Sequence, residues 1–157
     1  MKYTVYWIQS LVLLVGTFFA FSSVTIDYVR FYGIYHSLTR IQNCAIPNPI
    51  LTPCFYGAFA FLFASIWSLS IIIKKRKAQQ AYLHMLLIAS TLFAWGNFFL
   101  GIYRYYTVSS GPKVSCSGIP TTNPFLTPCL GGSIIFLIAL CLSFYIVKKQ
   151  KKIQRKR

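Results

Sequence analysis

Acid is what this chain lacks. Asp27 is the one acidic side chain among 157 residues, so paired-carboxylate acid–base chemistry has no second partner and is excluded. Histidine is nearly as scarce, with His36 and His84 alone. No His/Glu cluster at metal spacing, no Gly-rich phosphate loop and no Ser/His/Asp arrangement occurs, and no metal or other cofactor is expected from the residues themselves. Neither half of the chain contains CxxC, and no Asn-x-Ser/Thr sequon interrupts the stretches between its apolar runs. The apolar runs hold so few ionisable groups that an ion-conducting path has little to line it.

What is abundant is grease. The residues are 56% hydrophobic and 18% aromatic, and the mean hydropathy is +0.58. That leaves too little polar surface to cover a water-soluble globule of this size. A spanning helix needs about 20 predominantly apolar residues, and four stretches meet or approach that, about 4–26, 55–73, 81–103 and 130–147. The expected class is therefore an all-α membrane protein of four transmembrane helices. Residues 1–26 resemble a signal peptide in their basic start, but the run exceeds the usual h-region and is expected to stay as the first span.

The formal charge of +15 points to nucleic acid only if the cations form a binding surface. They do not: Lys2, the Lys74–Lys77 cluster and the 148–157 tail hold twelve of the sixteen basic residues, with no exposed stacking aromatics between them. Arg30, Arg40, Arg104 and Lys113 are left for the other two loops. This positive-inside pattern predicts both termini and the 74–77 loop in the cytoplasm. The partner it implies is the lipid bilayer with its anionic head groups, not nucleic acid.

One ten-residue stretch is spelled twice. Asn48-Pro49-Ile50-Leu51-Thr52-Pro53-Cys54-Phe55-Tyr56-Gly57 returns as Asn123-Pro124-Phe125-Leu126-Thr127-Pro128-Cys129-Leu130-Gly131-Gly132, identical at seven of ten positions. Each copy has a cysteine upstream, opens an apolar run and ends in lysines, which reads as a tandem duplication. The first repeat covers 1–77 with outer loop 27–54, and the second covers 78–157 with outer loop 104–129 and a basic tail at 148–157. Two spans per repeat give both copies the same orientation, related by a pseudo-two-fold axis along the membrane normal, as a four-helix bundle. Thr52 and Thr127 are expected to cap helix amides, Pro53 and Pro128 to fit the first turn, and Gly57 and Gly132 to let a neighbouring backbone come close. From Tyr28 the helical spacing of Phe31, Tyr32, Tyr35, Leu38 and Ile41 suggests that the first span runs on into an amphipathic segment on the outer membrane surface.

Four cysteines fall in the two outer loops, at C-x9-C and C-x12-C. In an oxidising compartment these read as disulfides, and the duplication selects Cys44–Cys54 and Cys116–Cys129. Each staple is worth about 3 kcal/mol by loop closure. The sharper reading is redox, since Cys54 and Cys129 stand at helix N-termini where a thiolate is stabilised. Weaker binding candidates are Arg30 and Arg104, at equivalent places outside the first span of each repeat, and Asn97, expected to hydrogen-bond across helices. Asp27 and Arg30 are one turn apart and should pair. Cys141 reads as a packing residue inside the fourth span.

Four spans, cytoplasmic ends and a cysteine pair in each outer loop resemble the layout of the DsbB-type disulfide-forming quinone reductases and, more distantly, the vitamin K epoxide reductases. The resemblance covers the whole chain and implies a quinone cofactor, with Cys44, Cys54, Cys116 and Cys129 as the redox set. Three functions are weighed. The first is a non-enzymatic interaction or scaffold protein whose stapled loops meet an envelope partner, with oligomerisation left open. The second is a thiol–disulfide oxidoreductase of the kind the resemblance implies. The third is a small-molecule or lipid carrier using the repeat interface. A composition rich in Lys, Ile and Phe suggests a prokaryotic plasma membrane.

Overall fold

The computed structural model describes residues 4–39, 41, 46–107 and 121–154, and among them all regular structure is helical. The helices are α1 (Thr4–Tyr35), α2 (Pro53–Ile73), α3 (Gln80–Thr107) and α4 (Pro128–Gln154). Each is long and apolar enough to cross a bilayer, the mark of an integral membrane protein. With no water in hydrocarbon to satisfy peptide groups, helices that close their own hydrogen bonds are the form such runs must take.

α1 packs along α2 and α3 along α4, and the ring is closed by α1 against α4 and α2 against α3, while α2 and α4 also touch across the centre. The core is formed by Leu13, Phe61, Ala64, Ile71, Leu83, Leu87, Phe136, Ala139 and Ile146. At its middle the rings of Phe61 and Phe136 stack with centroids 3.6 Å apart and planes 10° from parallel. Large apolar side chains such as Leu11, Phe18, Phe63 and Leu92 point outward. Because lipid tails are as apolar as leucine, that outer belt costs nothing, and cohesion has to come from packing and from hydrogen bonds between helices.

Those hydrogen bonds are present. Ser10 and Ser68 share one of 2.6 Å, and Thr17 and Ser65 one of 2.8 Å, both between α1 and α2. Between α3 and α4, His84 Nδ1 lies 3.2 Å from the Ser143 hydroxyl. Gln80 Nε2 donates to Gln9 Oε1 at 3.0 Å and to Ser143 Oγ at 3.2 Å, so α1, α3 and α4 are joined at a single point. Gln150 donates to the Tyr6 hydroxyl at 2.7 Å. The start of α1, the start of α3 and the end of α4 therefore share one end of the bundle.

Several local expectations are corrected. α1 does not turn onto a membrane surface: it continues unbroken for 32 residues, about 48 Å at 1.5 Å per residue. The Phe31 side chain is fully buried, so the extension packs on protein. It stops at His36, whose φ of 50° lies in the left-handed region where helices commonly end. The threonines do not cap. Thr52 and Thr127 hydroxyls donate backwards to the carbonyls of Pro49 and Pro124, at 2.7 and 3.0 Å. Capping falls to Asn48 and Asn123, whose Oδ1 atoms accept from the amides of Ile50 and Phe125 at the 3-10 turns Pro49–Leu51 and Pro124–Leu126. Pro53 and Pro128 begin α2 and α4, where a missing amide hydrogen loses no bond. Cys141 faces outward instead of into the packing.

Candidate sulfur site and its cavity

Asn-Pro-x-Leu-Thr-Pro-Cys builds the same local structure twice: an asparagine-capped 3-10 turn, an extended threonine, then a proline that starts a helix with cysteine as its second residue. Because α2 and α4 meet across the bundle, the two products face each other. Cys54 Sγ is 3.3 Å from Cys129 Sγ, well beyond the ~2.05 Å of a covalent bond between sulfurs. Cys54 carries a free thiol, whereas Cys129 is disulfide-bonded. A disulfide sulfur has no hydrogen, so the Cys54 S–H is the donor. The expected staple Cys44–Cys54 is at odds with the free Cys54 thiol, while Cys116, the expected partner of Cys129, lies outside the described residues.

Beneath the sulfurs lies a cavity of about 60 Å³. All four helices line it, and almost every lining residue has its counterpart in the other half of the sequence: Phe19 and Phe93, Ala20 and Ala94, Ser23 and Asn97, Pro53 and Pro128, Cys54 and Cys129, Gly57 and Gly132, Phe61 and Phe136. The glycines do not bring backbones together as expected. A Cβ built on Gly57 would meet nothing within 4 Å, and one on Gly132 only the edge of Phe61 at 4.0 Å. Their missing side chains leave the cavity open. The close approaches occur at Gly16, where a methyl would collide with Phe61 and Ile135, and at Gly131, where it would strike Phe19.

Asn97 reaches the cavity wall but does not bond across helices. Its Nδ2 donates to the Phe93 carbonyl on its own helix at 2.8 Å, as the Ser23 hydroxyl does to Phe19 at 3.1 Å. Both keep lone pairs free of that bond. Arg30 pairs with Asp27 at 3.8 Å, with its side chain 43% exposed. Arg104 sits exposed in the last turn of α3. Neither arginine lines the cavity.

Compared with known proteins, the chain matches no family model, no curated protein and no solved structure.

The site's chemistry therefore has to be read from its atoms. The wall carries no charged group, and the reactive atoms are a thiol and a disulfide sulfur in contact. A quinone, implied by the layout resemblance, would meet an almost wholly apolar lining there, with Ser23, Asn97 and Ser133 as its polar residues beside the two cysteines. What sequence reasoning missed was the meeting of Cys54 with Cys129 and the Gln9–Gln80 contact. A signal for the first was available, because both cysteines hold the same offset in the duplicated stretch.

Proposed function

We propose that this protein is a membrane thiol–disulfide exchange protein, the second of the functions weighed above. The observation that carries this reading is the free Cys54 thiol 3.3 Å from the disulfide-bonded Cys129 sulfur, inside the ~3–3.5 Å separation of a near-attack pair. A scaffold held by two closed staples does not require such a contact.

In the proposed step the Cys54 thiolate attacks Cys129 Sγ. A Cys54–Cys129 disulfide forms, the bond from Cys129 to its loop cysteine breaks, and the departing thiolate takes up the proton released by Cys54. No electrons are gained or lost. The loop cysteine, Cys116 by the spacing, is then free to exchange with a thiol or disulfide of an envelope partner. We assign the rest of the layout accordingly: two repeats, 1–77 and 78–157, in one orientation, both termini cytoplasmic, and the sulfurs on the outer side of a prokaryotic plasma membrane. The shared end of Tyr6 and Gln150 and the matched lining of the cavity support this arrangement.

Acid quenching of intact cells, alkylation and peptide mass mapping test the reading. Exchange predicts two populations, one with Cys129 joined to its loop partner and one with Cys129 joined to Cys54, in a ratio that moves with the external thiol–disulfide buffer. Cys129→Ser should accumulate mixed disulfides between Cys116 and another protein, because the sulfur that would resolve them is gone. Fixed pairs that ignore the buffer would return the protein to the scaffold reading.

A further inference from the structure

We infer that Asp27, the one carboxylate side chain in the sequence, is the proton acceptor for the Cys54 thiol, and that Arg30 is the residue that positions it. The inference deepens the exchange reading and rests on it, since it assigns the group that turns the Cys54 thiol into the attacking thiolate.

The register between α1 and α2 sets the height of Asp27. Ser10 meets Ser68, Thr17 meets Ser65, Phe21 meets Phe59 and Tyr28 meets Phe55. The helices therefore run antiparallel, and the same ladder brings Asp27 level with Cys54. The face agrees with the height: Ser23, one turn before Asp27 on the same side of α1, lines the cavity together with Cys54. The Asp27 charge acts on the Cys54 sulfur. Its side chain is 13% exposed and its ion-pair partner is Arg30, 3.8 Å away, which leaves carboxylate lone pairs open to a thiol proton. Here the two repeats part company. Gly101 stands at the place equivalent to Asp27, so Cys54 has a carboxylate at its level and Cys129 has no counterpart to it. In the step, the proton passes from Cys54 Sγ to the Asp27 carboxylate and the thiolate attacks Cys129 Sγ. The bond from Cys129 to its loop cysteine breaks, and the departing thiolate takes the proton back from Asp27. Among the described residues, the other titratable or charged groups toward this end are Tyr28, Arg30 and the more distant His36 on α1, Tyr56 on α2 and Arg104 on α3, while α4 presents the bonded sulfur of Cys129 and carries its lysines at its other end.

The test uses the full chain in lipid nanodiscs and methyl methanethiosulfonate as the sulfur that Cys54 attacks, with rates at each cysteine read by peptide mass from acid to alkaline pH. The Cys54 rate should climb as Asp27 ionises and then level off. A thiol with no base beside it gains about tenfold per pH unit while it is mostly protonated, and outward-facing Cys141 on the same molecule is the internal standard for that slope. Asp27→Asn should slow Cys54 at neutral pH by about 10²-fold, give it the steep slope of Cys141 and let it catch up at alkaline pH. Cys141 should not change, and circular dichroism reports that the helices are intact. Asp27→Glu keeps a carboxylate and should recover much of the rate, while His36→Gln should leave the profile as it is. Should Asp27→Asn not fold, Arg30→Gln, at a side chain 43% exposed, should move the onset of the climb to higher pH, because the carboxylate loses the cation that favours its charged form. An Asp27→Asn rate at neutral pH equal to or above the wild type, or lowered by one constant factor at every pH, would overturn the inference. So would an onset unmoved in Arg30→Gln. Failure of the exchange reading looks different: the Cys54–Cys129 crosslink never forms, whatever the pH profile of labelling, and the step assigned to Asp27 goes with it.

Discussion

The two ends of the bundle solve the same problem in opposite ways. At one end Tyr6, Gln9, Gln80, His84, Ser143 and Gln150 are joined by hydrogen bonds reaching across α1, α3 and α4. At the other, the helices meet around a cavity lined by the Cys54–Cys129 contact between α2 and α4, and side-chain hydrogen bonds such as Asn48 to the Leu38 carbonyl and Tyr105 to the Thr122 carbonyl run between helix ends and loops. Hydrocarbon offers no hydrophobic pressure to push helices together, so hydrogen bonds and tight packing set rigidity. The exchange proposed above asks for helices held in register at the amide end while sulfurs change partners at the other.

The comparison can be broken by mutation, starting where the two regimes join. Phe61→Ala removes half of the central stack and should destabilise by about 3 kcal/mol, the low end for deleting a buried phenylalanine, because lipid already solvates apolar groups and only packing is lost. Thermal unfolding in detergent checks it, and an unchanged midpoint would mean that the stack does not couple the two ends. Gly16→Ala should cost about 1–3 kcal/mol by overpacking against Phe61 and Ile135, again read by unfolding.

Gln80→Ala tests the amide end directly. It removes both bonds of Gln80 Nε2 and should cost about 1–2 kcal/mol. Gln9 Nε2 and Gln80 Oε1 are already buried without a partner, so the double variant Gln9→Leu/Gln80→Leu should recover most of that loss, since replacing both partners by apolar groups is nearly neutral. A double-mutant cycle that gives simple additivity would show that the two amides do not act together. The smallest effect belongs to the sulfur end. Gly57→Ala places a methyl in open space and should stabilise by about 0.5–1 kcal/mol through helix propensity alone. Opposite signs at Gly16 and Gly57, for the same substitution, are the sharpest form of the contrast between a packed and an open contact.

Much of this was legible in the chain. Runs of apolar residues long enough to span could be read directly, and α2 runs to Ile73 as expected. α1 was misjudged because the amphipathic spacing around Phe31 is the same whether that face rests on lipid or on protein, and only the neighbours distinguish the two. The threonine caps were misassigned because each threonine hydroxyl is taken by a carbonyl of the preceding 3-10 turn, that of Pro49 or Pro124, which only the folded turn brings within reach. The glycines were misread for a related reason. A glycine marks either a close approach or an empty space, and Gly16 and Gly57 look alike until Phe61 is placed against one of them.

Length and polarity along the chain are local quantities, so the sequence by itself determined that four helices are long and apolar enough to cross a membrane, about where they begin and why proline stands at the start of α2 and α4. Contact between residues far apart in sequence is not local. That Cys54 lies against Cys129 was decided by how α2 meets α4, that Gln80 finds Gln9 by how α3 meets α1, and that Gly57 and Gly132 border open space while Gly16 and Gly131 face aromatic rings by the packing of all four helices, because rotating any one of them would change its neighbours without altering a residue.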